Sequence, residues 1–327
     1  MKKIALYLSS RNNYSLLEDF LTSNKKFIKD YYLVNIDDFS DPDEIEIGKQ
    51  ICLKYNIPFI PNKKRGLQNA AQTMIDHIGD EFDYILWLTH DTEFITENFI
   101  DKFNNIVLES SLDEFGLIGF NILGPQCGIK SKNQLGPKTC GMLGRAPLAN
   151  LPGRGSWYRT PDMDLSWDIW GGEDTLISID SPVDMVVGIN VKKFKQHIET
   201  SENYHLFCAF DDIAMQFLNK GIHNVCIPAL QVWHDQWIKE GKVPVKSASA
   251  AQKGDSKHFG DYGPHLKYWE SKWGWHRSSV RNTFPTEKYK SGLIREFYDY
   301  NYKKGPFKIF KIEKNYLLDN LGSLWIH

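Results

Sequence analysis

The segment 83–94, Asp-Tyr-Ile-Leu-Trp-Leu-Thr-His-Asp-Thr-Glu-Phe, sets an apolar run against an abrupt cluster of one histidine and two carboxylates. A carboxylate at the tip of a buried strand can reach a ligand or metal at the carboxyl edge of a sheet, while the apolar residues behind it hold its backbone rigid. Asp91 is therefore the first candidate. Three further tips accompany it: Asp37-Asp38, Asp211-Asp212 and His234-Asp235. Each has a plainer reading. Asp211-Asp212 opens a helical pattern, where Asp is favoured by capping and by the helix dipole. Asp37-Asp38 precedes Ser40, Asp41 and Pro42, a turn composition, and a lone histidine closing an apolar strand, as His234 does, is commonly structural. What raises all four is that the tips of one parallel sheet converge on one crevice. Arg65-Gly66, just before a helical pattern, adds backbone N–H groups and a guanidinium suited to phosphate. No Gly-x-Gly-x-x-Gly or Walker-type loop stands where a strand meets a helix, which disfavours dehydrogenases and P-loop enzymes.

Strand and helix patterns alternate through the first third of the chain. Apolar runs at 4–8, 32–36, 57–60 and 85–88 read as strands. Between them Leu16, Leu17, Phe20 and Leu21, then Ile47, Ile51 and Tyr55, then Leu67, Ala70, Ala71, Met74, Ile75 and Ile78 recur at helical spacing. A further helix, capped by Thr96, is expected to bury Phe99, Ile100, Phe103 and Val107. Such alternation predicts a mainly parallel sheet with helices on both faces. After the run 116–120 the pattern breaks, and 121–181 is rich in Gly, Pro and isolated aromatics such as Trp157, Trp167 and Trp170. Long stretches of this kind are usually functional. Order returns with a strand at 183–187, helices from Asn190 and over 211–220, and a strand at 224–233. The small-residue stretch 247–251 reads as a flexible loop and the remaining tail as helical and aromatic.

The 327 residues suffice for one large domain or two modest ones, and 42% hydrophobic with 24% charged residues is ordinary for a globular protein. A net charge of -2 supplies no global reason to expect nucleic acid. Five scattered cysteines without a Cys-x-x-Cys pair point to a reducing compartment and away from a zinc ribbon. The run 4–8 is too short for a signal-peptide core, and no apolar stretch is long enough to span a bilayer, so a cytoplasmic protein is expected. The Lys-, Tyr- and Phe-bearing tail 288–314 is compatible with contact at a membrane surface.

Taken in order, these segments resemble the inverting, nucleotide-sugar-dependent glycosyltransferases of family 2, in particular their rhamnosyltransferase-like members. Ser9-Ser10-Arg11-Asn12 with Leu16-Leu17 is similar to the family's Pro-Thr-Tyr-Asn and Leu-Leu helix. Ile36-Asp37-Asp38-Phe39-Ser40 is similar to Val-Asp-Asp-Gly-Ser, and Arg65-Gly66-Leu67 to the turn before the third helix. Leu88-Thr89-His90-Asp91-Thr92-Glu93 resembles a Leu-Asn-Asn-Asp-Thr-Glu form of the DxD motif. Val183 to Gly188, Phe210-Asp211-Asp212, Gly221, Pro228 and His234 resemble the acceptor half, and Lys272-Trp273-Gly274 a Lys-Trp-Gly near the end of such domains. The chain departs from the family at Thr89, where many members carry the first Asp of DxD, at Gln72, which replaces an Asn, and in the length of 121–181.

The resemblance implies a GT-A fold: a Rossmann-like, mainly parallel α/β sheet flanked by helices, with a long inserted loop region and a helical C-terminal extension. It implies a glycosyltransferase domain over 1–239, divided into a nucleotide-sugar-binding half 1–120, an insertion 121–181 and an acceptor half 182–239, followed by the extension 240–327. By the same resemblance Asp212 is the catalytic base with Asp211 beside it, and Asp91 and His234 bind Mn2+ or Mg2+. Ser9, Ser10, Arg11, Asp37, Asp38, Arg65, Gln72, His90 and Asp91 hold the donor, and Gly188 faces the acceptor. By residue type alone Trp157, Trp167 and Trp170 suit stacking on acceptor sugars, with core or lid packing the commoner role of such aromatics. The partners implied are a nucleoside-diphosphate sugar and a glycan or lipid-linked glycan, with peripheral membrane contact and a homodimer compatible. Two other readings stay open: a nucleotidyltransferase on a related α/β fold, without its glycine-rich basic loop, and a carbohydrate- or nucleotide-binding relic without turnover. The dipeptides His90-Asp91 and His234-Asp235 superficially suggest a His-Asp phosphohydrolase, but that family carries its ligands on helices.

Overall fold

The structure, a computed structural model, describes residues 3–12, 14–109, 112–124, 129, 131–136, 139, 141–145, 157–159, 175–179, 181–206, 208–234, 262–273, 307–313 and 316–324. Cys127, Cys140, Trp167, Trp170, Asp235 and the loop 247–251 lie outside the described residues, and of Trp157 only the backbone is described. The first half runs β1 (Ile4–Ser10), α1 (Tyr14–Ser23), α2 (Lys25–Ile28), β2 (Tyr32–Asp37), α3 (Pro42–Lys54), β3 (Phe59–Pro61), α4 (Leu67–Ile78), β4 (Tyr84–Leu88), β5 (Thr92–Phe94), α5 (Phe99–Glu109) and β6 (Leu117–Leu123). Then come β7 (Met142–Arg145), β8 (Trp157–Arg159), β9 (Thr175–Ile179), β10 (Val186–Asn190), α6 (Val191–His197), α7 (Ala209–Asn219), β11 (Asn224–His234), α8 (Tyr262–Trp273), β12 (Phe307–Glu313) and β13 (Tyr316–Leu324).

One sheet in the order β13-β12-β9-β11-β6-β10-β4-β1-β2-β3 organises the described residues. Strands β3, β2, β1 and β4 pair in parallel, as do β6 and β11. Between these two parallel blocks β10 runs antiparallel to both neighbours. Alternation along β1 explains the layers: Ile4, Leu6 and Leu8 join a core with α1, α2 and α5, while Ala5 and Tyr7 join a second core with α4, α7 and α8. Both faces are therefore covered, as the near-continuous apolar strands require.

Several expectations shift. Thr96 does not cap a helix; its hydroxyl donates to Ala229 O (3.2 Å) and accepts from Gln231 N–H (2.7 Å), and α5 begins at Phe99. The strand expected at 183–187 lies at Val186–Asn190, with Asn190 Oδ1 capping α6 through Lys193 N–H. The tail is not wholly helical. After α8 it contributes the antiparallel pair β12–β13, which joins the sheet through β9. The insertion likewise supplies β7, β8 and β9, so part of it is ordered by strand pairing its composition did not announce. Cys52, Cys208 and Cys226 are buried thiols. Among the described residues no helix is long and apolar enough to cross a membrane.

Candidate active site at the carboxyl edge of the sheet

Ser10 ends β1 in register with Asp37 at the end of β2. Its main-chain oxygen accepts the Asp38 N–H at 2.7 Å, and its hydroxyl lies 2.7 Å from His90 Nε2 and also bonds Asn35. His90 and Asp91 occupy the middle of a turn closed by Thr89 O, which accepts from both the Thr92 N–H (3.3 Å) and the Thr92 hydroxyl (2.7 Å). Asp91 Oδ2 then meets His234 Nε2 at 3.1 Å. That contact depends on an irregularity in β11. The strand slips register against β6 between Ile227 and Gln231, at Pro228, and beyond it pairs with β5 so that His234 lies opposite Thr92. Proline removes a ladder donor and is tolerated at such a bulge. Three of the four expected tips, joined by Ser10, thus form one polar row: Asp37-Asp38, Ser10, His90-Asp91, His234; Asp211-Asp212 is not part of it.

Electrostatics sharpen the row. Burial lowers the His90 imidazole from 6.5 to about 4 despite the nearby Asp91 charge, so it is neutral at pH 7. Burial would push the Asp91 carboxyl up, but His234 beside it, through charge and hydrogen bond, holds it down to about 2. Asp91 is an anion with an imidazole partner, and His234 Nδ1 is buried without a hydrogen-bond partner among the described residues. Among the described residues no three or more His, Cys, Asp and Glu side chains are grouped so as to hold a metal ion between them. The pair fits a hard divalent cation that draws the rest of its shell from phosphate and water. Glu93, next along, pairs instead with Lys132 at the surface.

The β2 tip is tied to the turn before α4. Asp37 accepts from the Tyr14 hydroxyl and from Ser40 N–H (3.4 Å). Asp38 Oδ1 accepts from Asn62 Nδ2 and from Gly66 N–H, each at 2.8 Å. Burial raises the Asp38 carboxyl, against the pull of these bonds and of the Arg11 and Arg65 charges. The charges of two guanidiniums thus pull on one carboxylate, and Arg11 also donates to the Asp38 main-chain oxygen at 3.5 Å. Gly66 has φ +107°, and a Cβ there would stand 2.5 Å from Tyr204 O, so only glycine brings this turn under the 201–206 segment. Ser9 Oγ is buried without a partner among the described residues.

Asp212 departs most from expectation. It is fully buried, with Oδ2 accepting from Gln68 Nε2 (3.0 Å), Gln216 Nε2 (2.8 Å) and Lys272 Nζ (2.8 Å), and Oδ1 from Trp273 Nε1 (2.8 Å). Neither Asp211 nor Asp212 is the N-cap, a position held by Cys208. Gln72 is not at the tips either: it bonds Asp76 one turn along α4, and the buried glutamine of that helix is Gln68. Gly188 lies within β10 between Leu86 and Ile118, where a Cβ would come 3.1 Å from Phe103, so it serves sheet packing rather than an acceptor surface. Gln68, Asn62, Tyr14, Lys272 and Trp273 escaped sequence reasoning as site residues. Gln68 carried a signal, a polar residue in helical register with the apolar Ala71, Ile75 and Ile78, and Lys272 and Trp273 stood in a segment already singled out by resemblance, without a site role.

No protein-family model matches the chain, and no curated protein matches it in sequence. Among solved structures, GalNAc-T7 with UDP, GalNAc and Mn2+ superposes with a TM-score of 0.55 at 15% identity, covering 92% of this chain and 57% of that one. The fold is GT-A. The chain spans little more than half the length of that GT-A neighbour. A mannosyltransferase from Pyrobaculum calidifontis in complex with GDP-Man and Mn2+ gives a TM-score of 0.47 at 10% identity over 88% of this chain and 67% of its own. Glucosyl-3-phosphoglycerate synthase from Mycobacterium tuberculosis, with Mn2+, UDP and phosphoglyceric acid, gives 0.40 at 10% identity over 72% and 68%. The fold assignment rests on the first of these.

Proposed function

We propose that the chain is a metal-dependent glycosyltransferase that moves a hexosyl or deoxyhexosyl group from a nucleoside-diphosphate sugar to a hydroxyl of a glycan or lipid-linked glycan, with inversion. The observation that carries this reading is the row Asp38, Ser10, His90, Asp91, His234 at the carboxyl edge of a GT-A sheet, with Arg11 and Arg65 at its β2 end. Asp91 and His234 would hold Mn2+ or Mg2+, which when bound offsets charge developing on the leaving diphosphate. Arg65 and Arg11 bind the diphosphate as guanidiniums, Asp37 reads the base, and neutral His90, oriented by Ser10, hydrogen-bonds the donor. For the base, Asp212 stays the candidate on resemblance. Because four donors occupy its carboxylate, it can take an acceptor proton only once Lys272 and Trp273 withdraw.

The seal over Asp212 also favours a second reading, a nucleotide-sugar-binding protein without turnover. Release of UDP, GDP or dTDP from the corresponding sugar nucleotides in Mn2+ separates the two: the proposal expects turnover that Asp91→Asn abolishes. Donor binding without product in any acceptor mixture would favour the binding protein, and no binding of any sugar nucleotide would remove both.

A further inference from the structure

Phe39 is half exposed, at 50%, although the two residues before it, Asp37 and Asp38, are carboxylates only 4% and 3% exposed and Ser40 after it is buried as well. It also has φ +63°, a left-handed conformation that an aromatic residue rarely adopts. The resembling family motif has glycine here, which would occupy this conformation without cost. The strain is held by the surroundings: Ser40 Oγ accepts the Asn12 N–H (2.8 Å), Asn12 Oδ1 accepts the Asp41 N–H (2.8 Å), and Asn12 Nδ2 donates to Asp41 Oδ2 (3.2 Å). These bonds clamp the β1 tip to the β2 tip. The clamp therefore fixes the backbone that presents the ring at the surface, directly after Asp37 and Asp38 and on the same loop pair as Arg11.

A strained, clamped, exposed aromatic contributes nothing to the core it leaves, so its placement calls for a ligand with a flat apolar face. We infer that Phe39 is the platform on which the nucleobase of the donor stacks, and that it sets the tightness of nucleotide binding at this site. This rests on the nucleotide-sugar reading. Stacking needs no particular base edge, so the ring raises affinity for UDP and GDP alike, while selection between them falls to polar groups such as Asp37.

The test is calorimetric titration of UDP and GDP in Mn2+ into wild type, Phe39→Gly and Phe39→Trp, with melting temperatures of each. Glycine relieves the backbone and removes the ring, so Phe39→Gly is expected to melt no lower than wild type yet bind both nucleotides roughly 5- to 150-fold more weakly, the usual worth of one base–aromatic stack. Phe39→Trp is expected to bind close to wild type, with its added indole fluorescence quenched by nucleotide. Wild-type affinity in Phe39→Gly, or equal weakness in Phe39→Trp and Phe39→Gly, overturns the inference and leaves the site reading standing. Absence of UDP and GDP binding in wild type overturns the site reading, and the inference with it.

Discussion

His90 and Asp91 are adjacent in sequence but answer to opposite forces. For His90 burial dominates: the imidazole falls from 6.5 to about 4, so between those values the unfolded chain binds a proton that the folded one refuses. Stability must then decline as pH drops from 6.5 through 4. Asp91 adds a second loss as pH falls from 3.8 toward about 2, because its folded form is the ionised one. Melting temperature against pH should therefore slope downward on the acid side, and His90→Gln should flatten the part between pH 6.5 and 4. An unchanged slope in that variant would place the titration elsewhere. Asp91→Ala should remove Mn2+-dependent nucleoside diphosphate binding, and isothermal titration with and without Mn2+ reads this directly. Retained metal dependence would move the cation to other residues.

Two elements determine how the halves of the site meet. The turn before α4 is fixed by Gly66, whose N–H reaches Asp38 and whose bare α-carbon lies under Tyr204 O. Gly66→Ala meets both a forbidden backbone conformation and a main-chain clash, and should cost at least about 1–3 kcal/mol in denaturant unfolding. The second element is α8. Its Lys272 and Trp273 bind Asp212, and His265 Nδ1 lies 2.8 Å from Asn203 O, so the helix closes over the 201–206 segment and the start of α7. Asp212→Asn should be destabilised by about 1–3 kcal/mol, since it removes the charge of a buried carboxylate paired with a quarter-exposed Lys272 and sets an amide against four donors. A simple helix-cap role predicts no loss, because Asn caps as well as Asp. Chemical denaturation therefore measures the anchor, while turnover of the surviving folded fraction measures the base.

At the scale of the molecule, the GT-A sheet brings tips separated by more than 140 residues into contact, as Asp91 and His234 show. A ligand that bridges them stabilises the folded state by mass action. Saturation with a nucleoside diphosphate plus Mn2+ at about 100 times Kd should add about 2.7 kcal/mol, and EDTA should remove the metal-dependent share. A melting temperature indifferent to nucleotide and Mn2+ together would contradict the placement of the donor in this crevice.

The alternating apolar runs by themselves determined the layered α/β core, the strands that end in Asp37 and His234, the strand that leads into the Asp91 turn, and the helix that starts after Gly66, because burial periodicity is a local property of the chain. Arg65 and the tip residues were legible for the same reason: strand ends and helix starts mark where side chains leave the core. What only tertiary structure decided was every pairing between distant segments. The bulge at Pro228 that aims His234 at Asp91, the four donors around Asp212, the choice of Gln68 over Gln72 and the hairpin β12–β13 all depend on register and crossing. Hydrophobic pattern says which face of an element is buried; it does not say which other element covers it, and the chemistry of Asp212 turns on that partner.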